Sequence, residues 1–382
     1  MTPLVIRRAC AGLVLAIPFA CGLAIASPAF DYKQAGAEGL EHLKAIVRLD
    51  TSNPPGNESI VTAYLATQLR KAGLEPRLFE SAPGRGSLLV RYPGSGSAKP
   101  LLIMSHIDVV PVEKEGWSVP PFEGVVKDGF LWGRGTLDDK GMAAAELQTM
   151  LLLARHKVKL ARDVIFLAEA DEEAGGTYGM DYLLEKHPEL FDAELVLNEG
   201  GRVIWDERRK VQYVAVQTTE KIYQDFTLIA HGVAGHSSIP AGDNPVERLT
   251  RALGRIGSLG FAVELNDTTR AFFKGLAGVL PGETGACAGK LESAQDSARC
   301  AGVLSRNPNF NAMLRTTCTP TILQAGYKEN VIPAEARANL NCRILPGTDV
   351  AQFAETLRRQ IGDSKVEVVP AREFNPPAPA SP

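Results

Sequence analysis

Long runs of basic residues are missing from this 382-residue sequence, and its formal net charge is −3. Because nucleic-acid binders carry a positive patch, the composition argues against that class and favours small polar substrates. No glycine-rich loop is followed by the Lys-Ser/Thr pair of a P-loop, and no cysteine neighbours a histidine. These absences disfavour a phosphohydrolase and thiol catalysis. The residues that are present, 45% hydrophobic and 22% charged, are typical of a globular protein, and the chain is long enough to form two domains.

The first 26 residues have the pattern of a signal peptide, with two basic residues, an apolar stretch and a small-x-small cleavage site: Arg7, Arg8, Ala9 to Ile25, and Ala24-Ile25-Ala26. We therefore expect a periplasmic or secreted protein. A membrane anchor is the alternative, but Pro18 and Gly22 interrupt a stretch that is short for a spanning helix. A lipid-modified Cys21 stays open, although Pro18 fits a lipobox poorly.

Cleavage would remove two arginines, so the net charge would become −3 − 2 = −5, and it would leave four of the six cysteines. These four are Cys287, Cys300, Cys318 and Cys342. An even count in an oxidising compartment permits three disulfide connectivities, and we expect at least one disulfide. The alternative is four buried thiols, since the spacings match no zinc ribbon.

Strands and helices alternate through the first half of the chain. Apolar periodicity predicts helices at Leu40 to Val47, Ile60 to Ala72 and Gly141 to Arg155, and strands at Ser87 to Tyr92, Leu101 to Ser105, Val164 to Ala168 and Ala193 to Leu197. This alternation predicts an α/β fold with a mostly parallel sheet flanked by helices.

The second half predicts a β-α-β-β-α-β order, typical of a ferredoxin-like unit. Its elements are Ile222 to Ala230, Pro245 to Leu259, a less regular insertion, Thr321 to Gly326, Ala336 to Ile344, Val350 to Ile361 and Lys365 to Val369. We therefore predict a signal peptide (1–26), a catalytic domain (27–221), an inserted α+β lid or dimerisation domain (222–371) and a Pro-rich segment (372–382).

Polar residues follow each predicted strand of the first half: His106 and Asp108, Asp171-Glu172-Glu173, and Asn198-Glu199. Ligands of such sheets bind beyond the carboxyl ends of the strands. Histidine nitrogen and carboxylate oxygen are the donors of catalytic zinc sites. Three adjacent carboxylates repel one another and favour a cation, although a solvated acidic turn is the plainer alternative.

A glycine-rich turn brings Asp138 and Asp139 to the start of the long predicted helix. Either residue could simply cap that helix, because Asp is a favoured N-cap. Considered with the other acidic residues, an aspartate at this place could instead bridge two metal ions.

Four segments resemble the dizinc exopeptidase and deacylase family, which includes carboxypeptidase S, aminoacylase, acetylornithine deacetylase and succinyl-diaminopimelate desuccinylase. They are Ser105-His106-Ile107-Asp108-Val109-Val110-Pro111, Gly133-Arg134-Gly135-Thr136-Leu137-Asp138-Asp139-Lys140-Gly141, Asp171-Glu172-Glu173 and Gly235-His236-Ser237-Ser238. The resemblance spans residues 38 to 371 and is nearest to the carboxypeptidase S branch. It implies hydrolysis of an amide bond, in small peptides or in N-acyl amino acids, with both substrate classes left open.

The resemblance also implies the ligands of two zinc ions. His106, Asp138 and Glu199 would hold one zinc, and Asp138 would bridge to a second zinc held by Glu173. Asp108 would orient His106 from behind. Glu172 would be the general base that takes a proton from water and delivers it to the leaving amine.

Three residues of the predicted inserted domain match family positions. His236 would reach the active site of a partner subunit and stabilise the oxyanion, which implies a homodimer. Its alternative is a histidine capping a turn. Asn330 and Arg343 would bind the substrate carboxylate, a task that suits the planar guanidinium. Without the resemblance, Arg343 would be an ordinary surface charge.

The sequence departs from the family in one respect, because a histidine near the C-terminus should complete the second zinc site. The six histidines are His42, His106, His156, His187, His231 and His236. The expectation is therefore a truncated sequence that binds the second metal weakly. A catalytically incomplete fragment or a non-catalytic binding relative of the same fold is the main alternative function.

Overall fold

The structure is a computed structural model, and it describes residues 30–240, 242–371 and 381. The predicted signal peptide lies outside the described residues, as does nearly all of the Pro-rich segment. The chain divides into two compact units, residues 1–199 and residues 200–382. The domain boundaries at residues 221 and 371 stay predictions.

Helices and strands alternate in the first unit. Its described helices are α1 (Tyr32–Val47), α2 (Ser59–Lys71), α3 (Lys140–His156) and α4 (Met180–Lys186), and its strands are β1 (Arg77–Ala82), β2 (Arg85–Tyr92), β3 (Leu101–His106), β4 (Val125–Lys127), β5 (Phe130–Trp132), β6 (Val164–Glu169) and β7 (Leu195–Leu197). α1 begins well before the predicted Leu40, because the Asp31 side chain accepts hydrogen bonds from the first-turn amides of Lys33 and Gln34.

The central sheet of this unit has the order β1-β2-β6-β3-β7. β3 pairs in parallel with both β6 and β7, while the β1–β2 hairpin is antiparallel and β2 also runs antiparallel to β6. The carboxyl ends of β3, β6 and β7 therefore meet at one edge of the sheet, where ligands of α/β proteins bind. The α/β class predicted from the sequence is confirmed, but the sheet is mixed rather than mostly parallel, since two of its four strand pairings are antiparallel.

Apolar side chains cover both faces of this sheet. Leu88, Ile103 and Phe166 belong to one buried cluster together with residues of α1, α2 and α3. The alternate positions Leu102 and Ile165 belong to a second cluster, which includes residues of α4. Because successive side chains of a strand point to opposite faces, continuous apolar runs are what a sheet buried on both sides requires.

The second unit contains a further set of strands and helices. In chain order these are β8 (Arg202–Trp205), β9 (Val211–Ala215), β10 (Ile222–His231), β11 (Gly235–His236), α5 (Pro245–Leu259), α6 (Asp267–Leu276), α7 (Gly282–Ala288), α8 (Ser297–Leu304), α9 (Pro308–Leu314), β12 (Thr317–Ala325), β13 (Val331–Ile332), β14 (Glu335–Ile344), α10 (Val350–Ile361) and β15 (Val366–Pro370).

The predicted ferredoxin-like unit is present. β10, β12, β14 and β15 form an antiparallel sheet with the order β12-β14-β10-β15. One buried cluster joins this sheet to α5 and α10, through residues such as Leu249, Phe353 and Leu340. The alternating burial of β10 explains why a period of two was visible in the sequence.

The insertion between α5 and β12 is helical, with α6 to α9 around an apolar cluster of their own. Breaks such as Pro281-Gly282 keep these helices short, so that none shows a long apolar period. Disulfides join Cys287 to Cys300 and Cys318 to Cys342. They confirm the expectation of at least one disulfide.

A helix that spans a bilayer must be both long and apolar. No helix within residues 30–240 and 242–371 combines the two properties that a membrane span needs.

Candidate metal centre

His106 ends β3 at the carboxyl edge of the first unit's sheet, and its side chain is buried. Its Nδ1 lies 3.0 Å from the backbone oxygen of Asp108 and 3.3 Å from the Asp108 carboxylate. Its Nε2 lies 2.9 Å from Oδ1 of Asp138. Because Nδ1 is held by Asp108, Nε2 is the nitrogen that can bind a metal ion.

Several carboxylates surround this nitrogen. Carboxylate oxygens of Glu199 and Glu172 lie 3.9 Å and 4.0 Å from Nε2. Two groups offer donor atoms within 4.8 Å of one another: His106 with Asp138 and Glu173, and His106 with Asp139 and Glu199. The structure therefore places Asp138 and Glu173 in one group with His106, and in the other it places Asp139, not the predicted Asp138, beside Glu199.

Asp139 occupies the N-cap position of α3, but its side chain makes no capping hydrogen bond. Its Oδ2 is buried and has no hydrogen-bond partner among the described residues. Burial, together with the Glu199 and Asp138 carboxylates, raises the pKa of Asp139 to about 7 against the opposing effect of His106. A buried, unpaired carboxylate oxygen beside a histidine nitrogen fits a divalent cation better than it fits a helix cap.

The pKa values of His106, Glu172 and Glu173 are all raised, which means that their surroundings favour added positive charge. Burial lowers the pKa of His106, but its hydrogen bonds with Asp108 and Asp138 outweigh burial and raise that pKa to about 10. Burial raises the pKa of Glu172 and of Glu173, and neighbouring carboxylates add to the effect. Crowded carboxylates around one imidazole are the environment that a bound cation relieves.

Glu172 lies beside the two ligand groups and belongs to neither. Its side chain is 46% exposed, and it lies in the short turn Glu172–Ala174 after β6. The backbone N–H groups of Glu172 and Glu173 donate hydrogen bonds to the Asp108 carboxylate, at 3.2 Å and 3.1 Å. Asp108 thus holds both the imidazole and the turn that carries the two glutamates.

Asp171 differs from its two acidic neighbours. It is buried, and its counter-charge is Arg85 at 2.6 Å. Glu172 and Glu173 lie near His106, where a bound cation stays a prediction, whereas the cation beside Asp171 is the Arg85 guanidinium. Arg85 lies far from Asp171 in the sequence, so no local sequence pattern could predict this ion pair.

Two residues predicted to touch substrate lie together in the second unit. His236 is exposed in β11, and its Nε2 lies 3.4 Å from Nδ2 of Asn330. Its Nδ1 lies 2.7 Å from the Ser238 hydroxyl and accepts a hydrogen bond from the Ser238 amide. The contacts with Ser238 are those of the alternative prediction, a histidine that caps a turn.

Arg343 lies in β14 of the second unit, with its guanidinium 4.5 Å from the centre of the Tyr223 ring. It lines a cavity of about 920 Å³ together with Lys221 and the aromatic residues Tyr213, Phe272 and Phe310. Burial, with Arg343 nearby, lowers the pKa of Lys221 to about 8. Arg202, Lys221 and Arg343 give this cavity three cationic side chains against one carboxylate, Glu220, which suits an anionic ligand group.

The fold and the centre together define a class, namely two-unit α/β proteins with a histidine–carboxylate site suited to divalent metal ions. The chain belongs to peptidase family M20/M25/M40, whose family model matches residues 102–380. This match confirms the family resemblance drawn from the four motifs.

Individual relatives agree with this assignment. The chain is 32% identical to human N-fatty-acyl-amino acid synthase/hydrolase PM20D1 over 289 residues, which is 75% of this chain and 57% of that protein. It is 33% identical to probable carboxypeptidase S-like 2 of Dictyostelium discoideum over 304 residues, 77% of this chain and 58% of that protein. The chain therefore spans a little over half the length of these relatives.

A solved structure confirms the fold. The M20 family metallo-carboxypeptidase Sso-CP2 of Sulfolobus solfataricus superposes with a TM-score of 0.62 at 20% identity, covering 88% of this chain and 79% of that one. At this identity, the likeness concerns the fold alone.

Proposed function

We propose that this protein is a zinc-dependent hydrolase that cleaves an amide bond in small peptides or N-acyl amino acids with a free carboxylate. One observation carries the proposal: the buried Nε2 of His106 faces carboxylates of the first unit, and one carboxylate oxygen of Asp139 is buried without a partner among the described residues. Family membership supports amide hydrolysis, and the relatives' names supply the two substrate classes.

In this proposal, His106, Asp138 and Glu199 would hold one zinc ion, and Asp138 and Glu173 would hold a second. Imidazole and carboxylate donors suit zinc. Asp139 shares a ligand group with Glu199 and can assist there. When bound, the pair of ions would polarise the scissile carbonyl and lower the pKa of a water molecule.

The chain's own residues supply the remaining steps. The backbone oxygen of Asp108 accepts a hydrogen bond from Nδ1 of His106, which leaves Nε2 to bind the metal. The partly exposed carboxylate of Glu172 lies next to the ligands, where it can accept a proton from water and return it to the leaving nitrogen. Arg343 and Asn330 bind the substrate carboxylate, and His236 donates to the developing oxyanion.

We further propose that the protein is exported to the periplasm or secreted, and that it acts as a homodimer. Export rests on the basic-apolar-small pattern of residues 1–26. The homodimer rests on the role given to His236, which the family resemblance assigns to a partner's active site. Neither nucleic acid nor a membrane is a proposed partner of the cleaved protein.

The first test is the zinc content of the purified protein, measured by elemental analysis, alongside hydrolysis of a panel of dipeptides and N-acyl amino acids. We expect two zinc ions per chain and turnover of at least one substrate class. In Glu172→Gln, kcat should fall by about 10²- to 10⁴-fold, which is the usual contribution of a general base. Its zinc content should not change, because Glu172 belongs to neither ligand group.

Glu113→Gln serves as the matched control, since Glu113 is an exposed glutamate of the same unit. Equal activity of Glu172→Gln and Glu113→Gln would remove Glu172 from the mechanism. Failure of the wild-type chain to bind zinc would overturn the proposal as a whole.

The second candidate is a non-catalytic binding relative or a catalytically incomplete chain. One observation favours it: among the described residues, His106 is the single histidine in either ligand group. This candidate predicts one zinc ion or none and no turnover, so the same zinc and activity measurements separate the two functions.

A further inference from the structure

A buried network of polar side chains lies behind the candidate metal centre, and Arg85 is at its middle. The Arg85 guanidinium donates two hydrogen bonds to the Glu58 carboxylate, at 2.8 Å and 2.7 Å, and a third to Asp171 at 2.6 Å. A fourth goes to the backbone oxygen of Pro55 at 3.0 Å. The planar fork of arginine makes such simultaneous contacts possible, whereas lysine offers a single ammonium group.

Asn53 joins this network to Asp108. Its side-chain amide donates to the Asp108 carboxylate at 2.7 Å and to Asp171 at 2.9 Å. Asp108 in turn contacts Nδ1 of His106. A continuous series of hydrogen bonds therefore runs from Glu58 through Arg85, Asp171, Asn53 and Asp108 to the imidazole.

The network is buried from end to end, since Glu58, Arg85, Asn53, Asp108 and Asp171 are each no more than 7% exposed. Buried ion pairs of this kind add little to stability, because desolvation offsets their attraction. Apolar side chains could fill the same volume at no greater cost. Stability alone therefore gives little reason for the network, whereas a rigid support for functional groups does.

The network fixes the turn that carries two acidic residues of the centre. Asp171 has a left-handed backbone with φ of 71°, a conformation that is uncommon for non-glycine residues, although aspartate tolerates it better than most. Its side chain accepts hydrogen bonds from Arg85 and from the Tyr178 amide at 2.8 Å. Glu172 and Glu173 follow directly, and their amides are held by Asp108.

The network also carries net negative charge next to the candidate metal centre. It contains three carboxylates, those of Glu58, Asp171 and Asp108, and one guanidinium. One guanidinium offsets one of these three carboxylate charges, so the network keeps a net negative charge that favours a nearby cation. Arg85 contacts the carboxylates of Glu58 and Asp171, and Asp108 contacts the histidine.

We propose that Arg85 is a positioning residue for the metal centre, and that Asn53 transmits its effect to His106 and to the turn of Glu172 and Glu173. This inference rests on the metal centre of the proposed function. It goes beyond that function because it assigns zinc affinity to residues that contact neither metal nor substrate.

The test compares Arg85→Lys with Arg91→Lys in the full chain. Arg91 lies on the same strand as Arg85, and it pairs with Asp163 at 2.8 Å while remaining 43% exposed. The zinc dissociation constant is measured by competition with a chromogenic chelator, and the thermal midpoint of the metal-free protein is measured separately. We expect Arg85→Lys to weaken zinc binding by about 10-fold or more, and Arg91→Lys to remain within about twofold of wild type.

A second variant, Asn53→Ser, tests the inference independently in case Arg85→Lys fails to fold. Asn53→Ser leaves the Arg85–Glu58 pair intact, but a hydroxyl can donate to one of the two carboxylates and not to both. Asn57→Ser is its control, since Asn57 is exposed in the same loop. Asn53→Ser should also weaken zinc binding by about 10-fold, with Asn57→Ser unchanged.

The inference is overturned if Arg85→Lys and Asn53→Ser lower the thermal midpoint of the metal-free protein but bind zinc as tightly as wild type. The network would then serve stability alone. If wild type itself binds no zinc, the proposed function fails together with the inference. Zinc binding by wild type with unaltered affinity in both variants removes the inference and leaves the proposed function standing.

Discussion

At the scale of single residues, the candidate metal centre depends on which ring nitrogen of His106 contacts Asp108 and which one faces the other carboxylates. Asp108 holds Nδ1, and Asp138 lies against Nε2. Asp138 and Asp139 are adjacent in the chain but differ in surroundings, since the Asp138 side chain is 65% exposed and Asp139 is buried. The local pattern did not separate the two, because both are acidic residues at the start of the same helix, and it was the family resemblance that assigned the metal to Asp138.

Arg343 provides a prediction at this scale. Arg343→Met should raise KM by about 10- to 100-fold, because hydrogen bonds to a charged group contribute about 1.5–3 kcal/mol. The change in kcat should be smaller, since the substrate carboxylate takes no part in bond cleavage. Steady-state kinetics on a dipeptide or an N-acyl amino acid measures both constants.

Arg337→Met is the matched control for that measurement. Arg337 is an exposed arginine on the same strand, and its partner is Glu335. Unchanged KM in Arg337→Met and raised KM in Arg343→Met would support carboxylate binding at Arg343. The same KM in both variants would make Arg343 the ordinary surface charge that its sequence alone suggests.

At the scale of helices and strands, Glu38 of α1 forms side-chain hydrogen bonds with residues of α3. Its carboxylate accepts hydrogen bonds from Arg155 and Gln148, both at the distal part of α3. These hydrogen bonds, from Arg155 first and then Gln148, lower the pKa of Glu38 to about 2 from an ordinary value of 4.5. A lowered pKa means that the ionised carboxylate is favoured by the folded state.

The sign of the resulting pH dependence follows from this shift. The stabilisation by Glu38 is present above pH 4.5 and is lost as the pH falls towards 2, because the folded protein must then protonate a paired carboxylate. We expect the free energy of unfolding of wild type to fall more steeply over this interval than that of Glu38→Gln. Urea denaturation at a series of pH values measures the difference.

Glu41→Gln is the control for the pH series, because Glu41 lies on the same helix and pairs locally with Lys44. Its profile should follow wild type. Parallel profiles for wild type and Glu38→Gln would show that the hydrogen bonds between Glu38 and α3 add no pH-dependent term to the free energy of unfolding.

At the scale of the whole molecule, the proposed homodimer leads to a complementation experiment. His236→Ala and Glu172→Gln should each be nearly inactive alone. When the two are unfolded together and reassembled as mixed dimers, one site in each mixed dimer should contain an intact Glu172 and an intact His236 from the other subunit. Activity should return to about a quarter of wild type, since half of the dimers are mixed and each has one of two sites complete.

The controls for this experiment are each variant reassembled alone, together with the mass of the assemblies from light scattering. Activity that stays absent in verified mixed dimers would contradict a site shared between subunits. A monomeric mass for the wild-type protein would contradict the homodimer itself.

Much of the fold was predictable because its signals are local. Continuous apolar runs marked β3 and β6, whose side chains are buried on both faces, and alternation marked β10. β1 and the β8–β9 hairpin were missed because β1 has a single buried position and β8 and β9 have none, so no apolar period marks them. The helices α6 to α9 were missed because each is too short to display one.

The sequence by itself determined the alternation of strands and helices, the ferredoxin-like order, and the placement of His106, Glu172 and Glu199 just beyond strand ends. These features follow from patterns that extend over a few residues. Only the tertiary structure decided which cysteines pair, which acidic residue of the 171–173 turn pairs with an arginine, and that Arg85 and Asn53 both donate hydrogen bonds to it. The physical reason is that these contacts join residues far apart in the chain, and their geometry exists only once the sheet has brought those residues together.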